Sequence, residues 1–334
     1  MSTHQDSSLG RIIVAGSLAY DYIMDFPGQF KDHILPDKVH CINLSFLVDK
    51  LTKQRGGCAA NISYTLALLG ERPRVVAAAG RDFPEYAAYL REHGVDVSCV
   101  LQVDDEVTAT CFITTDKQDN QIQGFYVGAM KRARDISLKS TLTPSTQVVV
   151  IAPDDPEAMV RHCREAREAK VQFVYDPSFQ VIAMDGNTLW ESSRGAHTLI
   201  LNDYEFAVFS EKIGRTVEQI LESVDIVVVT RGENGSQIYR KGQSTIDIKP
   251  AKVLAVVDPT GAGDAYRGGF VAGMVQGLPL EICGQMGSIS AAYAVEHYGT
   301  QSHSYSIKDF AKRYEDNFGP APAAFTSTPS LANS

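Results

Sequence analysis

Val253-Leu254-Ala255-Val256-Val257 runs into Asp258-Pro259-Thr260-Gly261-Ala262-Gly263-Asp264, and a helix-forming stretch over residues 265–277 follows. The apolar run reads as a strand, the two close glycines as a tight loop and the sequel as a helix. A strand–loop–helix unit of this kind belongs to an α/β sheet. It places the loop at a helix N-terminus, where unpaired N–H groups and the helix dipole attract anions. A carboxylate there, Asp264, would repel a bound phosphate unless it had a task. That task would be to accept the proton of a hydroxyl attacking the phosphate. The plain alternative is a glycine turn with an acidic residue near a helix start.

Working outward, short β-branched runs recur at 12–15, 75–79, 148–151, 173–175, 198–201 and 226–230. Continuous apolar runs are buried on both faces, as in a parallel sheet. Residues 157–170 and 282–296 have helical length and composition between and after them. The alternation predicts an α/β fold with a doubly wound, mainly parallel sheet flanked by helices. Two polar–apolar segments, about 20–54 and 102–126, interrupt it and predict a small β-sheet lid within one domain spanning 11–315. Residues 1–10 and 319–334 carry no core pattern and are expected to be disordered tails.

The 334 residues carry 31 Lys and Arg against 40 Asp and Glu, a net charge of −9. That balance argues against a nucleic-acid or anionic-membrane surface. No apolar run approaches the roughly 18–20 residues of a membrane span, and the polar opening Met1-Ser2-Thr3-His4-Gln5-Asp6 does not read as a signal peptide. Six scattered cysteines without Cys-x-x-Cys spacing suggest neither zinc nor a disulfide framework, so a reducing cytoplasm fits. No P-loop, dinucleotide fingerprint or His-Glu-x-x-His occurs.

Other clusters sit at expected strand ends. Arg55-Gly56-Gly57-Cys58-Ala59-Ala60-Asn61 opens a helix; paired glycines permit close ligand approach, and Asn61 can donate and accept toward vicinal hydroxyls. Asp21, in Gly16-Ser17-Leu18-Ala19-Tyr20-Asp21, follows the first strand, where parallel sheets bind ligands. Asn202-Asp203-Tyr204-Glu205 could order Mg²⁺ water near phosphates, or simply start a helix. Thr230-Arg231-Gly232-Glu233-Asn234-Gly235 could touch a nucleotide, or make a hairpin turn.

In this order, Gly56-Gly57…Asn61, Asn202…Glu205, Thr230…Gly232…Gly235 and Asp258…Gly261-Ala262-Gly263-Asp264 resemble the ribokinase-like (PfkB) family over about residues 11–315. Within it the chain is most similar to bacterial-type adenosine kinases. The segments that carry this are Gly16-Ser17…Asp21, Phe26-Pro27-Gly28-Gln29-Phe30, Leu44-Ser45-Phe46-Leu47-Val48-Asp49, Phe125-Tyr126…Gly128-Ala129-Met130 and Asp176-Pro177-Ser178. The resemblance implies ATP-dependent phosphorylation of the 5′-hydroxyl of adenosine, with another nucleoside or a sugar such as ribose or fructose as the alternative. Asp264 would be the base, and the N–H groups of Gly261, Ala262 and Gly263 the anion hole. Asp21, Gly57 and Asn61 would hold the ribose, with Ser17 nearby. Ser45 would reach the nucleoside, from the partner subunit of a lid-mediated homodimer. Asn202, Thr230, Gly232 and Gly235 would face ATP, and Glu205 would act on Mg²⁺ through water. Arg132 or Arg134 would clamp phosphate, and a K⁺ requirement is left open. The chain departs from the pattern at Cys111, where relatives have Phe, and at Phe179-Gln180, where they have Gln-Gln, so its base pocket is expected to differ.

Overall fold

Residues 9–33, 45, 47–118 and 120–325 are described by a computed structural model, in which two sheets share the strands. In chain order these are β1 (Leu9–Ala15), β2 (Ala19–Asp25), β3 (Lys50–Gly56), β4 (Arg72–Gly80), β5 (Asp96–Val103), β6 (Ala109–Thr115), β7 (Gln121–Tyr126), β8 (Val148–Ile151), β9 (Gln172–Tyr175), β10 (Thr198–Asn202), β11 (Ile226–Thr230), β12 (Ser236–Arg240) and β13 (Ile246–Ile248). The main sheet runs β13-β12-β11-β10-β9-β8-β1-β4-β5, and the small one β3-β2-β6-β7. From β5 to β11 every neighbour in the main sheet is parallel, and β12 and β13 close one edge antiparallel.

Alternation along the strands divides the core in two. Ile12, Val14, Val75, Ala77, Val148, Val150 and Val228 join one apolar layer with residues of the helices Cys58–Leu68, Ala262–Val275 and Leu280–Val295. Ile13, Ala15, Val149, Ile151, Phe173, Leu199 and Val227 join the other with Met159, Cys163 and Phe209 of the helices Pro156–Ala169 and Asp203–Ile213. Burial on both faces is why these strands are uniformly apolar. The small sheet is mixed: β2 pairs antiparallel with β3 and parallel with β6, and β6 pairs antiparallel with β7. No helix among the described residues is long and apolar enough to cross a membrane.

Three differences from the sequence expectation matter. Residues 253–257 form no strand; Leu254 and Val256 are 81% and 72% exposed, and the segment is tied down by Leu254 N–H to Glu296 Oε1 (2.7 Å) and Val257 N–H to Val295 O (2.8 Å). The sheet edge it would have joined is already occupied by β12 and β13, two short strands with weak sequence signals. Asp21 does not end the first strand but lies on β2, in the lid. Beyond Gly319, Ala323–Phe325 makes a 3₁₀ turn, and the Phe325 ring packs edge-on against Phe310 and Tyr314.

Candidate active site

Two helices start at glycine loops and cross closely enough to join their first turns. Gly57, at φ +93°, has no room for a side chain: a Cβ would stand 2.6 Å from both Ala19 N and Ser17 O. It starts the helix carrying Asn61. Further along, a Cβ on Gly268 would come 2.7 Å from Thr65 Cβ, so only glycine lets the second helix lie this near. The crossing brings Asn61 Nδ2 to donate to Asp264 Oδ2 at 2.8 Å across 203 residues of sequence. The Ser17 hydroxyl accepts from Cys58 N–H (3.2 Å) and fixes the same helix start.

Asp264 stands on the first turn, whose N–H groups have no carbonyl one turn back within the helix. The Ala262 N–H is directed to Pro259 O at 3.2 Å, so in this geometry it is engaged within the turn rather than offered to an anion. Burial pushes the Asp264 carboxyl upward, opposed by the Arg267 guanidinium and the hydrogen bond from Asn61. Arg267 lies one turn later on the same helix and is almost wholly buried. It pairs with Asp176 (Nε–Oδ2 2.5 Å, Nη2–Oδ1 2.7 Å) and lies 3.8 Å from Glu205. Burial holds Asp176 up to about 7 against the pull of Arg267, while the surrounding carboxylates keep the guanidinium charged. Glu205 accepts from Ser178 Oγ (3.0 Å) and from Asn202 N–H (2.9 Å).

The lid supplies the opposite wall. Register places Gln54, Asp21, Cys111 and Phe125 in one row across β3, β2, β6 and β7. Asp21 Oδ2 lies where a Cβ on Gly56 would come within 2.8 Å, so the carboxylate sits against the glycine pair. Burial, then the charge of Asp258, raises its pKa to about 6. Burial and Asp21 likewise push the Cys111 thiol up.

Several other expected residues are placed differently. Gln180 is buried and donates through Nε2 to Asp154 O (2.6 Å), turned into the protein rather than toward a ligand, whereas Phe179 is 49% exposed. Asn202 accepts from Glu205 N–H (2.7 Å), completing a reciprocal helix cap; the local capping pattern is real, and it engages both side chains. Asn202 and Thr230 are cross-strand partners at the ends of β10 and β11, and the loop carrying Gly232 and Gly235 joins β11 to β12 as a hairpin. Arg132 pairs with Asp135 (2.5 Å), and Arg134 with Asp155 and with Glu157 (2.8 Å), so each arginine already has carboxylate partners. Ser45 is exposed, but its neighbours at 39–44 and 46, on which the proposed lid contact depends, lie outside the described residues.

Sequence reasoning missed Arg267, Gln301 and Tyr86. The first had a local signal, a cation three residues after Asp264 and so on its helical face. Gln301 and Tyr86 had none, because Gln301 lies 240 residues from Asn61 and 215 from Tyr86 in the chain.

A half-buried carboxylate on the first turn of a helix, beside a polar lid at the C-terminal edge of a parallel sheet, has the chemistry that phosphoryl transfer would need. The profile of the pfkB family carbohydrate kinases matches residues 22–307, and the chain belongs to that family of ATP-dependent, ribokinase-like kinases. It is 32% identical over 307 residues to a nucleoside kinase of Methanocaldococcus jannaschii, covering 91% of this chain and 97% of that protein. The structure of Burkholderia thailandensis nucleoside kinase in complex with ADP-inosine superposes with a TM-score of 0.82 at 35% identity, over 96% of this chain and 99% of that one. A Cryptococcus neoformans ribokinase in complex with ADP shares the fold, with a TM-score of 0.74, at 21% identity over 91% of this chain and 99% of that one.

Proposed function

We propose that the protein transfers the γ-phosphoryl group of ATP to the 5′-hydroxyl of a nucleoside, with the purine nucleosides adenosine and inosine as substrates. The observation that carries this is the Asn61–Asp264 bond at 2.8 Å, which seats a base at the anion-binding helix start. Asp21 and Asn61 hold the ribose diol and leave the 5′-hydroxyl toward Asp264. Asp264 takes its proton as the oxygen attacks phosphorus in line, and the N–H groups of the Gly261–Gly263 turn meet the charge on the transferring group. Support for a nucleoside over a bare sugar comes from the nucleoside kinases that the chain resembles along nearly its whole length. The half-buried Cys111 and exposed Phe179 suit a flat base against one ring and a soft wall.

No three His, Cys, Asp or Glu side chains gather as a metal cage among the described residues. Mg²⁺ would therefore be held chiefly by the phosphates of ATP, where it offsets their charge. Glu205 retains lone pairs beside those used by Ser178 and Asn202, enough to order one metal-bound water. The lid is the face through which two copies would pair.

The test is a coupled assay of ATP consumption over adenosine, inosine, guanosine, cytidine, uridine, ribose and fructose. The expected result is a kcat/KM highest for adenosine or inosine. Preference for a free sugar over every nucleoside would overturn the substrate class, and preference for a pyrimidine would overturn the purine assignment alone.

A further inference from the structure

The Asn61 amide must present its NH₂ end to Asp264 to support a carboxylate, and nothing in Asn61 itself decides which end faces there. The decision is made three hydrogen bonds away, at the Gly56 carbonyl. The Tyr86 hydroxyl donates its single hydrogen to the backbone carbonyl of Gly56 at 2.8 Å. A backbone carbonyl can only accept, so Tyr86 must accept from its other neighbour. That neighbour is Gln301 Nε2, at 2.6 Å. The same nitrogen gives its second hydrogen to Asn61 Oδ1 at 2.8 Å. Asn61 is then left with Nδ2 toward Asp264. Each hydrogen in the chain from Gly56 to Asp264 has one possible direction, and Tyr86, Gln301 and Asn61 are all buried.

The loop bearing Gln301 is itself pinned. Tyr89 Oη donates to Gln301 O (2.7 Å), and Thr300 Oγ1 donates to Arg55 O (3.0 Å). The relay thus joins the last residue of β3, the helix Phe83–Glu92, the loop after the helix Leu280–Val295 and the base.

We propose that Gln301 is a positioning residue for phosphoryl transfer: anchored through Tyr86 to the Gly56 carbonyl, it fixes the orientation of the Asn61 amide and so keeps Asp264 an ionised, aligned acceptor. This rests on Asp264 being the base. Gln301→Met keeps length and removes both donors. Gln301→Glu keeps shape but can only accept when ionised, which draws the Asn61 NH₂ away and turns Oδ1 toward Asp264. Tyr86→Phe removes only the anchor.

The experiment measures kcat, both KM values and the pH profile of kcat with adenosine, inosine and ATP·Mg²⁺ for wild type, these three variants and Asp264→Asn, with thermal melts alongside. The expected kcat loss for Gln301→Met is about 10- to 100-fold, the size of one charge-assisted hydrogen bond, with KM for ATP unchanged. Gln301→Glu should move the acidic limb of the profile up by about one pH unit or more, as loss of a donor to a carboxylate does. Tyr86→Phe should show the same changes in smaller degree. Near-wild-type kcat and an unmoved acidic limb in Gln301→Met and Tyr86→Phe would overturn the relay, even if Gln301→Glu failed to fold. So would losses that track melting temperature alone. If Asp264→Asn is inactive while the Gln301 variants are normal, only the relay falls; if Asp264→Asn is active, the base assignment falls first.

Discussion

As the proposed base, Asp264 would have to be half-buried and ionised at once, and the groups around it reconcile the two demands. Burial favours its protonated form, while Asn61 and Arg267 favour the charge. Asp264→Asn retains the shape and can still accept from Asn61, but it cannot take a proton. Single-turnover transfer should fall by about 10²–10⁴-fold, with calorimetric binding of ATP preserved and thermal stability equal or higher because a half-buried charge has gone. Asp21 carries a second prediction. Its folded pKa, about 6, lies above the ordinary carboxyl value, so the native state binds the proton more tightly than the unfolded chain. Fold stability therefore falls as pH rises between the two values and is lower by a constant amount above them. Asp21→Asn should stabilise the protein at pH 7.5 by roughly 2–3 kcal/mol, a gain that vanishes below about pH 4 in the same melts. The variant should bind nucleoside poorly. In wild type, KM for nucleoside should rise about tenfold per pH unit below the Asp21 pKa, which initial rates at pH 5 to 8 would show.

At the scale of elements, the site depends on how closely two helices approach. Gly268 faces Thr65 Cβ at a distance that admits no side chain, with Ile62 O 3.0 Å from the same point. Gly268→Val should separate the helices, cost about 1–3 kcal/mol as overpacking does, and lower kcat by drawing Asn61 from Asp264. Denaturant unfolding and kcat measured together would check it; full activity in a destabilised variant would show that the crossing is structural only. The reciprocal cap at Asn202 and Glu205 carries a related lesson. The same residues that suggest a nucleotide contact are a competent helix start, and the structure uses them as one. Local pattern identifies the cap, whereas the proximity of Glu205 to Arg267 comes from packing β10 beside β9.

For the molecule as a whole, the lid divides into two faces. Asp21, Gln54 and Cys111 share the side toward the site. Leu51, Phe112 and Ile122 lie on the reverse side and are exposed, with Tyr22 stacked on Phe112 at 5.5 Å. An apolar sheet face of this sort is a natural seat for a second copy. The protein is expected to be a dimer at micromolar concentration, and Phe112→Glu to yield monomers, as light scattering would show. A wild-type monomer with full activity would remove the lid pairing and, with it, any role for Ser45 from a partner.

The amino-acid sequence by itself determined the α/β class, the parallel sheet and the glycine loop bearing Asp264. Those depend on apolar runs, glycine spacing and helix-start chemistry, which act over a few residues. It also pointed to Asp21, Gly57 and Asn61. Only the tertiary structure decided that residues 253–257 stay off the sheet, because β-branched composition marks an extended backbone without saying whether an edge is free to pair. The inward turn of Gln180, the carboxylate partners of Arg132 and Arg134, and the Arg267–Asp176 pair were likewise settled by packing. So was the path from Gly56 through Tyr86 and Gln301 to Asn61, since hydrogen-bond direction is set by which donors and acceptors meet, and those that meet here are remote in the chain.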